Sequence, residues 1–345
     1  MNRYSRQTIL PEVGISGQAK LTNASVLVVG AGGLGSPVLL YLAAAGVGRL
    51  GIIDADKVDV TNLQRQVIYV TEDEGKSKAE TAAKRLSALN PEINIDTYPV
   101  WLSKDNALEI FSQYDIIVDG SDNFATRYLV NDACVILNKP LVFGSIFKFE
   151  GQVSVFNYKG GPTYRCLFPE PPAAGEVPNC SEIGVIGVLP GIIGTLQANE
   201  VIKIILEIGD VLSGVLYMYD ALSNDIQKLK VFKDPVASIV TELGTYEEVC
   251  VTSPDIDKKT FDAWKEKNVV FQLIDVREPH EFEQKNIGGE LIPMNTIKDN
   301  LNRIREDIPV IVHCQMGGRS RKIVDFLYEK GFKNIFNLKN GLREF

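Results

Sequence analysis

A chain of 345 residues is long for one average domain and suits two, since domains commonly run to about 100–200 residues. Hydrophobic residues make up 45% and charged residues 23%, the balance of a soluble globular protein. The net charge of −8, with no basic run or aromatic-basic patch, disfavours non-specific nucleic-acid binding. The opening Met1-Asn2-Arg3-Tyr4-Ser5-Arg6-Gln7 lacks the apolar core of a signal peptide. The five cysteines (Cys134, Cys166, Cys180, Cys250, Cys314) are an odd, scattered set, which argues for reduced thiols in the cytoplasm and against a disulfide framework.

In chain order, strands are predicted over 25–29, 49–53, 93–98, 115–119 and 141–143, with helices over 34–45, 76–89, 104–113 and 124–137 between them. Such alternation implies parallel βαβ units with right-handed crossovers, hence a doubly wound α/β sheet. From Phe147 the pattern changes: 151–156 and 214–219 read as strands of an antiparallel extension, with a helix over 190–206 between them. The uncharged stretch from Ile183 to Asn199 contains Pro190, Thr195 and Gln197 and falls short of a membrane span of about 20 apolar residues. It predicts a buried or interface helix and no membrane. Between Phe168 and Cys180, four prolines and no apolar period predict a loop. Lys233-Asp234-Pro235 and Thr252-Ser253-Pro254 bracket a short acidic segment. The domains are therefore expected at 1–233 and 256–345, joined by a linker over 234–255. In the second, 271–276, 308–313 and 334–337 read as strands and 256–268, 297–305 and 319–330 as helices.

The first strand, Val26-Leu27-Val28-Val29, runs into Gly30-Ala31-Gly32-Gly33-Leu34-Gly35, and the next ends at Asp54. A G-x-G-x-x-G turn between strand and helix sets glycine backbone and a helix N-terminus against phosphates, with the carboxylate on a ribose hydroxyl. Alone this pattern suits any nucleotide, NAD included. Asn62 and Arg65 change the reading, because a reaction that builds negative charge on phosphates needs fixed cations, whereas hydride transfer does not.

Arg3-Tyr4-Ser5-Arg6-Gln7, Gly30–Gly35, Asp54-Ala55-Asp56, Asn62–Gln66, Gly75-Lys76-Ser77-Lys78 and Ser121-Asp122-Asn123, in that order, closely resemble the ThiF/MoeB/HesA adenylyltransferases over residues 1 to about 233. The resemblance implies ATP-dependent adenylation of the C-terminal Gly-Gly carboxylate of a ubiquitin-like sulfur-carrier protein. It further implies that Gly30, Gly32 and Gly35 pack against the nucleotide and that Asp54 holds the ribose. Asn62, Arg65 and Lys78 would line the triphosphate, Asp122 would serve Mg²⁺, and Arg6 would reach in from the other subunit of a homodimer.

Many members of that family carry two C-x-x-C pairs. The corresponding places here are Thr163-Tyr164-Arg165-Cys166 and Glu247-Glu248-Val249-Cys250, each without its first cysteine. A closed zinc site takes four Cys or His ligands, so no structural zinc is expected. Cys134 lies in an apolar run and reads as core. Cys180 stands in the place where some relatives bond covalently to the carrier or a sulfur donor; a passive loop thiol is the other reading.

Leu273-Ile274-Asp275-Val276-Arg277-Glu278-Pro279-His280-Glu281-Phe282, then His313-Cys314-Gln315-Met316-Gly317-Gly318-Arg319-Ser320, resemble the rhodanese family over roughly 256–345. Lys285-Asn286-Ile287 departs from that family's Gly-His-Ile, at the expected cost of a packing residue. A short loop between strand and helix brings amides and a helix N-terminus to the Cys314 sulfur, and Arg319 adds a full charge, all favouring a persulfide anion. Four residues between Cys314 and Arg319 favour sulfur over phosphate. The fold expected is a Rossmann-like doubly wound sheet with an antiparallel extension, then a small rhodanese-like α/β domain. The function expected is carrier adenylation followed by sulfur transfer from Cys314 to give a thiocarboxylate. Cys180 would relay in release, and an upstream persulfide donor such as a cysteine desulfurase would supply the sulfur. An NAD oxidoreductase with a sulfur-binding tail and a catalytically decayed carrier-binding scaffold are the alternatives.

Overall fold

The computed structural model describes residues 3–171, 184–246 and 255–345, in two compact units divided between Glu248 and Val249. The first is built on an eight-stranded sheet. Its parallel strands are β1 (Ser25–Val29), β2 (Arg49–Ile53), β3 (Asn94–Tyr98), β4 (Ile116–Asp119) and β5 (Leu141–Phe147). The antiparallel extension is β6 (Glu150–Phe156), β7 (Val215–Asp220) and β8 (Ile226–Lys230), and the order across the sheet is β3-β2-β1-β4-β5-β6-β7-β8. Both faces of the parallel part are covered. In β1, Val26 and Val28 join one apolar layer while Leu27 and Val29 join the other, as the period of two in a strand requires.

The helices are α1 (Ser5–Thr8), α2 (Gly14–Asn23), α3 (Gly35–Ala45), α4 (Lys78–Leu89), α5 (Ala107–Ser112), α6 (Phe124–Ile136), α7 (Tyr164–Leu167) and α8 (Leu189–Leu206). α3 stops at Gly46, whose φ of +81° is the left-handed conformation that closes many helices. Length and composition alone would let α8 cross a membrane, but its Ile193, Gly194, Ala198 and Val201 are buried in the unit. Its buried Gln197 donates to the carbonyls of Asp119 (2.8 Å) and Val142 (3.3 Å), which pins the helix to the ends of β4 and β5. Cys134 is fully buried in the core.

Strand order reverses between β1 and β4, which places their C-terminal ends at the switch point of the sheet, where α/β folds bind ligands. β8, not anticipated from the sequence, has every residue exposed, so it carries no buried periodicity to read.

The second unit is a parallel sheet in the order β11-β10-β12-β13-β9, from β9 (Asp255–Ile256), β10 (Gln272–Asp275), β11 (Glu290–Leu291), β12 (Val310–His313) and β13 (Ile335–Leu338). Around it lie α9 (Lys258–Glu266), the unanticipated α10 (Pro279–Gln284) and α11 (Gly318–Glu329). The helix expected over 297–305 is instead a 3₁₀ stretch, Met294–Arg303, broken at Asn300. Side chains of Thr296 and Asn300 bond to nearby carbonyls there, the local competition that keeps such residues out of regular helices.

Candidate active sites

The first site gathers at the ends of β1 and β4. Gly30 has φ +88°, and a Cβ there would lie 2.9 Å from the Gly120 carbonyl oxygen, so the loops after β1 and β4 touch only because residue 30 has no side chain. A Cβ on Gly35 would fall 1.9 Å from the Gly30 carbonyl oxygen, which fixes glycine at the first turn of α3. Gly32 differs: its Cβ would meet only the Gln66 amide at 3.5 Å, so packing does not impose glycine there. The turn therefore leaves an approachable stretch of backbone ahead of α3.

Asp54 shapes this turn. Its carboxylate accepts N–H bonds from Ala31 and from Asp56, both at 2.8 Å. Burial pushes its pKa above the ordinary range, against the pull of Lys78 and those two amides. Lys78, buried at the start of α4, holds Asp56 at 2.9 Å. Asn62 accepts from Arg65 (2.9 Å) and from the Gln66 amide (3.3 Å), so the Asn62–Gln66 motif closes on itself. Asp122 is exposed just beyond β4, and Arg6 is exposed on α1; among the described residues neither is in an ion pair.

Two groups that lie inside quoted motifs but were given no role by the sequence flank the turn. Gln66 Oε1 and Ser121 Oγ are buried, and neither has a hydrogen-bond partner among the described residues. Behind Ser121, fully buried Asp119 accepts its N–H at 2.9 Å. Arg127, over the rings of Phe124 and Phe143, donates to its carbonyl at 3.4 Å. Only burial distinguishes Gln66 and Ser121 from ordinary loop residues, which is why spacing did not mark their side chains.

At the first of the two places compared with the family's C-x-x-C pairs, Cys166 Sγ accepts N–H bonds from Thr163 and Asp234, each at 3.3 Å, and lies 3.4 Å from Thr163 Oγ1. One thiol and one hydroxyl do not supply a tetrahedral zinc site, and no metal-ligating cluster occurs among the described residues; Cys250 and Glu247 lie outside them. A polar knot stands beside this place. Buried Asp132 takes both prongs of Arg165 at 2.7 Å, the Tyr246 hydroxyl at 2.6 Å and the Asn131 amide at 2.8 Å. The segment after β8 thus stays on the first unit as far as Tyr246.

The sulfur site is at the end of β12. Cys314 is buried, with the Ser320 hydroxyl 3.4 Å from its sulfur. Burial alone would raise the thiol's pKa, but the Ser320 hydroxyl and the amides of Ser320, Met316 and Arg319 outweigh it and bring it below the ordinary value. Gly317 turns the loop at φ +85°, and a Cβ on Gly341 would strike the Cys314 carbonyl oxygen at 2.1 Å, so the Asn340-Gly341-Leu342 turn packs directly under the loop. The charge of Arg319, expected to act on the sulfur, is shared: its guanidinium donates to both oxygens of Glu281, at 2.6 and 2.7 Å. Beneath the loop, buried Arg277 donates to Asp275 (2.7 Å), the Lys285 carbonyl (2.6 Å) and the Gln315 side chain (3.1 Å). At the sequence departure, Lys285 lends its carbonyl to Arg277, and its Nζ donates to the Phe345 carbonyl at 2.6 Å. His313, buried and held neutral, has its pKa pushed down to about 4 by burial. Cys180 lies outside the described residues.

Residues 4–238 match the ThiF family, and residues 257–345 match the Rhodanese-like domain. The chain belongs to the ThiF family. It is 43% identical over 357 residues to the "Probable adenylyltransferase/sulfurtransferase MoeZ" of Mycobacterium tuberculosis, with 99% of this chain and 91% of that protein covered. It is 55% identical over 261 residues to the "Sulfur carrier protein adenylyltransferase" of Thermus thermophilus, covering 72% of this chain and 96% of that one. Among solved structures, E. coli MccB with ATP is similar at 26% identity and a TM-score of 0.60, over 68% of this chain and 73% of that chain. Both α/β units and the family agree on an enzyme that joins an adenylyltransferase to a sulfurtransferase. The oxidoreductase reading lapses with them.

Proposed function

We propose that this enzyme uses ATP to adenylate the C-terminal Gly-Gly carboxylate of a ubiquitin-like sulfur-carrier protein, and that sulfur held on Cys314 then converts it to a thiocarboxylate in the cytoplasm. The observation that carries this reading is the pairing, in one chain, of a glycine turn bordered by buried, unpartnered polar atoms with a thiol buried among loop amides. Relatives whose names specify a sulfur-carrier adenylyltransferase and an adenylyltransferase/sulfurtransferase support it, as does the ATP-bound structural neighbour.

In this reading Gly30, Gly32 and Gly35 admit the triphosphate, and Asp54 faces the ribose with the lone pairs its two amide bonds leave free. Gln66 Oε1 and Ser121 Oγ gain partners on the nucleotide. Asn62, Arg65 and Lys78 line the triphosphate, the two cations offsetting charge that builds on the α-phosphate and departing pyrophosphate and the Asn62 amide donating to it, each at roughly 10²-fold in rate. Asp122, a carboxylate free of ion pairs among the described residues, suits Mg²⁺, which would screen the phosphates. Arg6 completes the site from the second subunit of a homodimer. The Cys314 persulfide attacks the acyl-adenylate, forming an acyl disulfide as AMP leaves. The Cys180 thiolate then attacks Cys314 Sγ, so the thiocarboxylate departs with the electron pair and a Cys180–Cys314 disulfide remains.

Pyrophosphate exchange into ATP, run against a panel of Gly-Gly-ended carrier proteins, tests the reading. Exchange that depends on one of the carriers is expected; none with any carrier, under conditions where the protein binds ATP, removes it.

A further inference from the structure

We propose that Glu281 is a specificity-determining residue of the sulfur site: by occupying Arg319, it closes the Cys314 loop to oxyanionic sulfur donors such as thiosulfate. This rests on the reading that Cys314 takes up sulfur.

Loading Cys314 means that its thiolate attacks the outer sulfur of a donor. A new S–S bond forms at Sγ, the donor's own S–S bond breaks, and the electron pair leaves with the remainder. From a thiol persulfide the remainder is a thiolate, which takes a proton. From thiosulfate it is sulfite, a dianion whose oxygens need donors or cations at the mouth of the loop as it departs.

The loop offers no free cation. Its one charged side chain, Arg319, borders the sulfur but gives both ends of its guanidinium to Glu281, and its polar neighbour Gln315 is held through its oxygen by Arg277 at 3.1 Å, which leaves a neutral amide N–H₂ as the side-chain donor. The remaining side chain, Met316, is apolar and 59% exposed, and a Cβ on Gly318 would face open space. The amides that remain polar point at the Cys314 sulfur itself. The mouth is thus open, with exposed Met316 beside a charge pair that leaves no net charge.

Glu281 is fixed in its role before any ligand arrives. It sits in the first turn of α10, where its carboxylate also accepts the Glu278 N–H at 3.1 Å, so helix and loop cation share one carboxylate. A bidentate pair held in this way is costly to open for a passing anion.

The test is a donor competition on the full-length, reduced protein. Thiosulfate, cysteine persulfide and persulfidated serum albumin are supplied separately at equal concentration, and sulfur gain on the Cys314 peptide is followed by mass spectrometry. Both persulfides are expected to load Cys314 faster than thiosulfate by roughly tenfold or more, the worth of one charge-assisted hydrogen bond. The ratio between the two persulfide arms distinguishes a protein-borne donor from a free one. Glu281→Gln, which frees Arg319, and Met316→Lys, which adds a cation at an exposed position, should each raise the thiosulfate-to-persulfide ratio by about tenfold. Equal loading from thiosulfate and cysteine persulfide in the unmodified protein overturns the inference, as does an unchanged ratio in both variants. Loading from no donor at all would instead overturn the sulfur-transfer reading beneath it.

Discussion

The two sites are finished to different degrees. In the first unit, Gln66 Oε1 and Ser121 Oγ are buried without partners, and Arg65 and Asp122 are in no ion pair among the described residues. In the second, Arg319, Glu281, Arg277, Asp275 and Gln315 are bonded to one another or to backbone, and the reactive sulfur is enclosed. Each unpartnered buried polar group costs about 1–3 kcal/mol, which a ligand carrying hydroxyl or amino donors can repay on binding. The first site is therefore left open toward a ligand, whereas the charged side chains around Cys314 are already paired, although the ring nitrogens of buried His313 beside it lack hydrogen-bond partners among the described residues. One is built to bind and the other to hold.

The sharpest way to break this contrast is to disable the sites one at a time. Cys314→Ala should abolish sulfur uptake and leave carrier-dependent ATP–pyrophosphate exchange near the unmodified level. Asp122→Ala should cut exchange by about 10²-fold or more while Cys314 still loads with sulfur. Because Asp122 is exposed, its loss should also leave the melting temperature unchanged. If either variant loses both activities, the sites are not separate pieces of chemistry.

The next effect concerns what holds the first unit together around Cys166. Asp132 is 2% exposed and gathers Arg165, Tyr246 and Asn131. Asp132→Asn leaves a half-buried guanidinium unpaired and should cost roughly 3 kcal/mol in a denaturant melt. Strong chelator should leave the melting temperature of the unmodified protein where it was. Chelator-induced loss of stability, with little effect from Asp132→Asn, would show that metal and not this polar knot ties the segment after β8 to the unit.

What could be read in the sequence divides along the same line. β1 and β2 fall where their apolar runs, ended by Gly30 and by Asp54, put them, because both faces of a buried parallel strand must be apolar. β8 was invisible because neither of its faces is buried, and α10 because six residues are too few to show a helical period. At the sites, spacing revealed what backbone geometry enforces: glycine at 30 and 35, the carboxylate at 54 and the thiol at 314. It could not reveal Gln66 or Ser121, whose distinction is burial without a partner. Nor could it reveal that Glu281 meets Arg319 across 38 residues of sequence, which changes what the arginine contributes. The lost cysteines at 163 and 247 were plain, whereas the contacts that stand beside Cys166 depend on the fold.

The smallest predicted effect separates the hydroxyl from the charge pair at the sulfur. Against the burial that would raise the Cys314 pKa, the strongest lowering influence is the Ser320 hydroxyl, followed by loop amides. Ser320 is fully buried and, among the described residues, its hydroxyl reaches Cys314 Sγ and the Gly317 carbonyl, so its hydrogen can turn to the sulfur when the thiol ionises. The thiolate is the form that reacts with iodoacetamide, so the pH midpoint of alkylation reports the balance directly. Ser320→Ala should move that midpoint up by about one unit, the equivalent of one modest hydrogen bond. The variant should then react more slowly at neutral pH, with the difference closing once both thiols are ionised. Removing Glu281 and Arg319 together, as the paired Gln variants, deletes equal and opposite charges and should move the midpoint by only a few tenths of a unit. A larger shift from the double variant than from Ser320→Ala would mean that Arg319 keeps an uncompensated hold on the sulfur, and that the second site is less self-contained than its bonds imply.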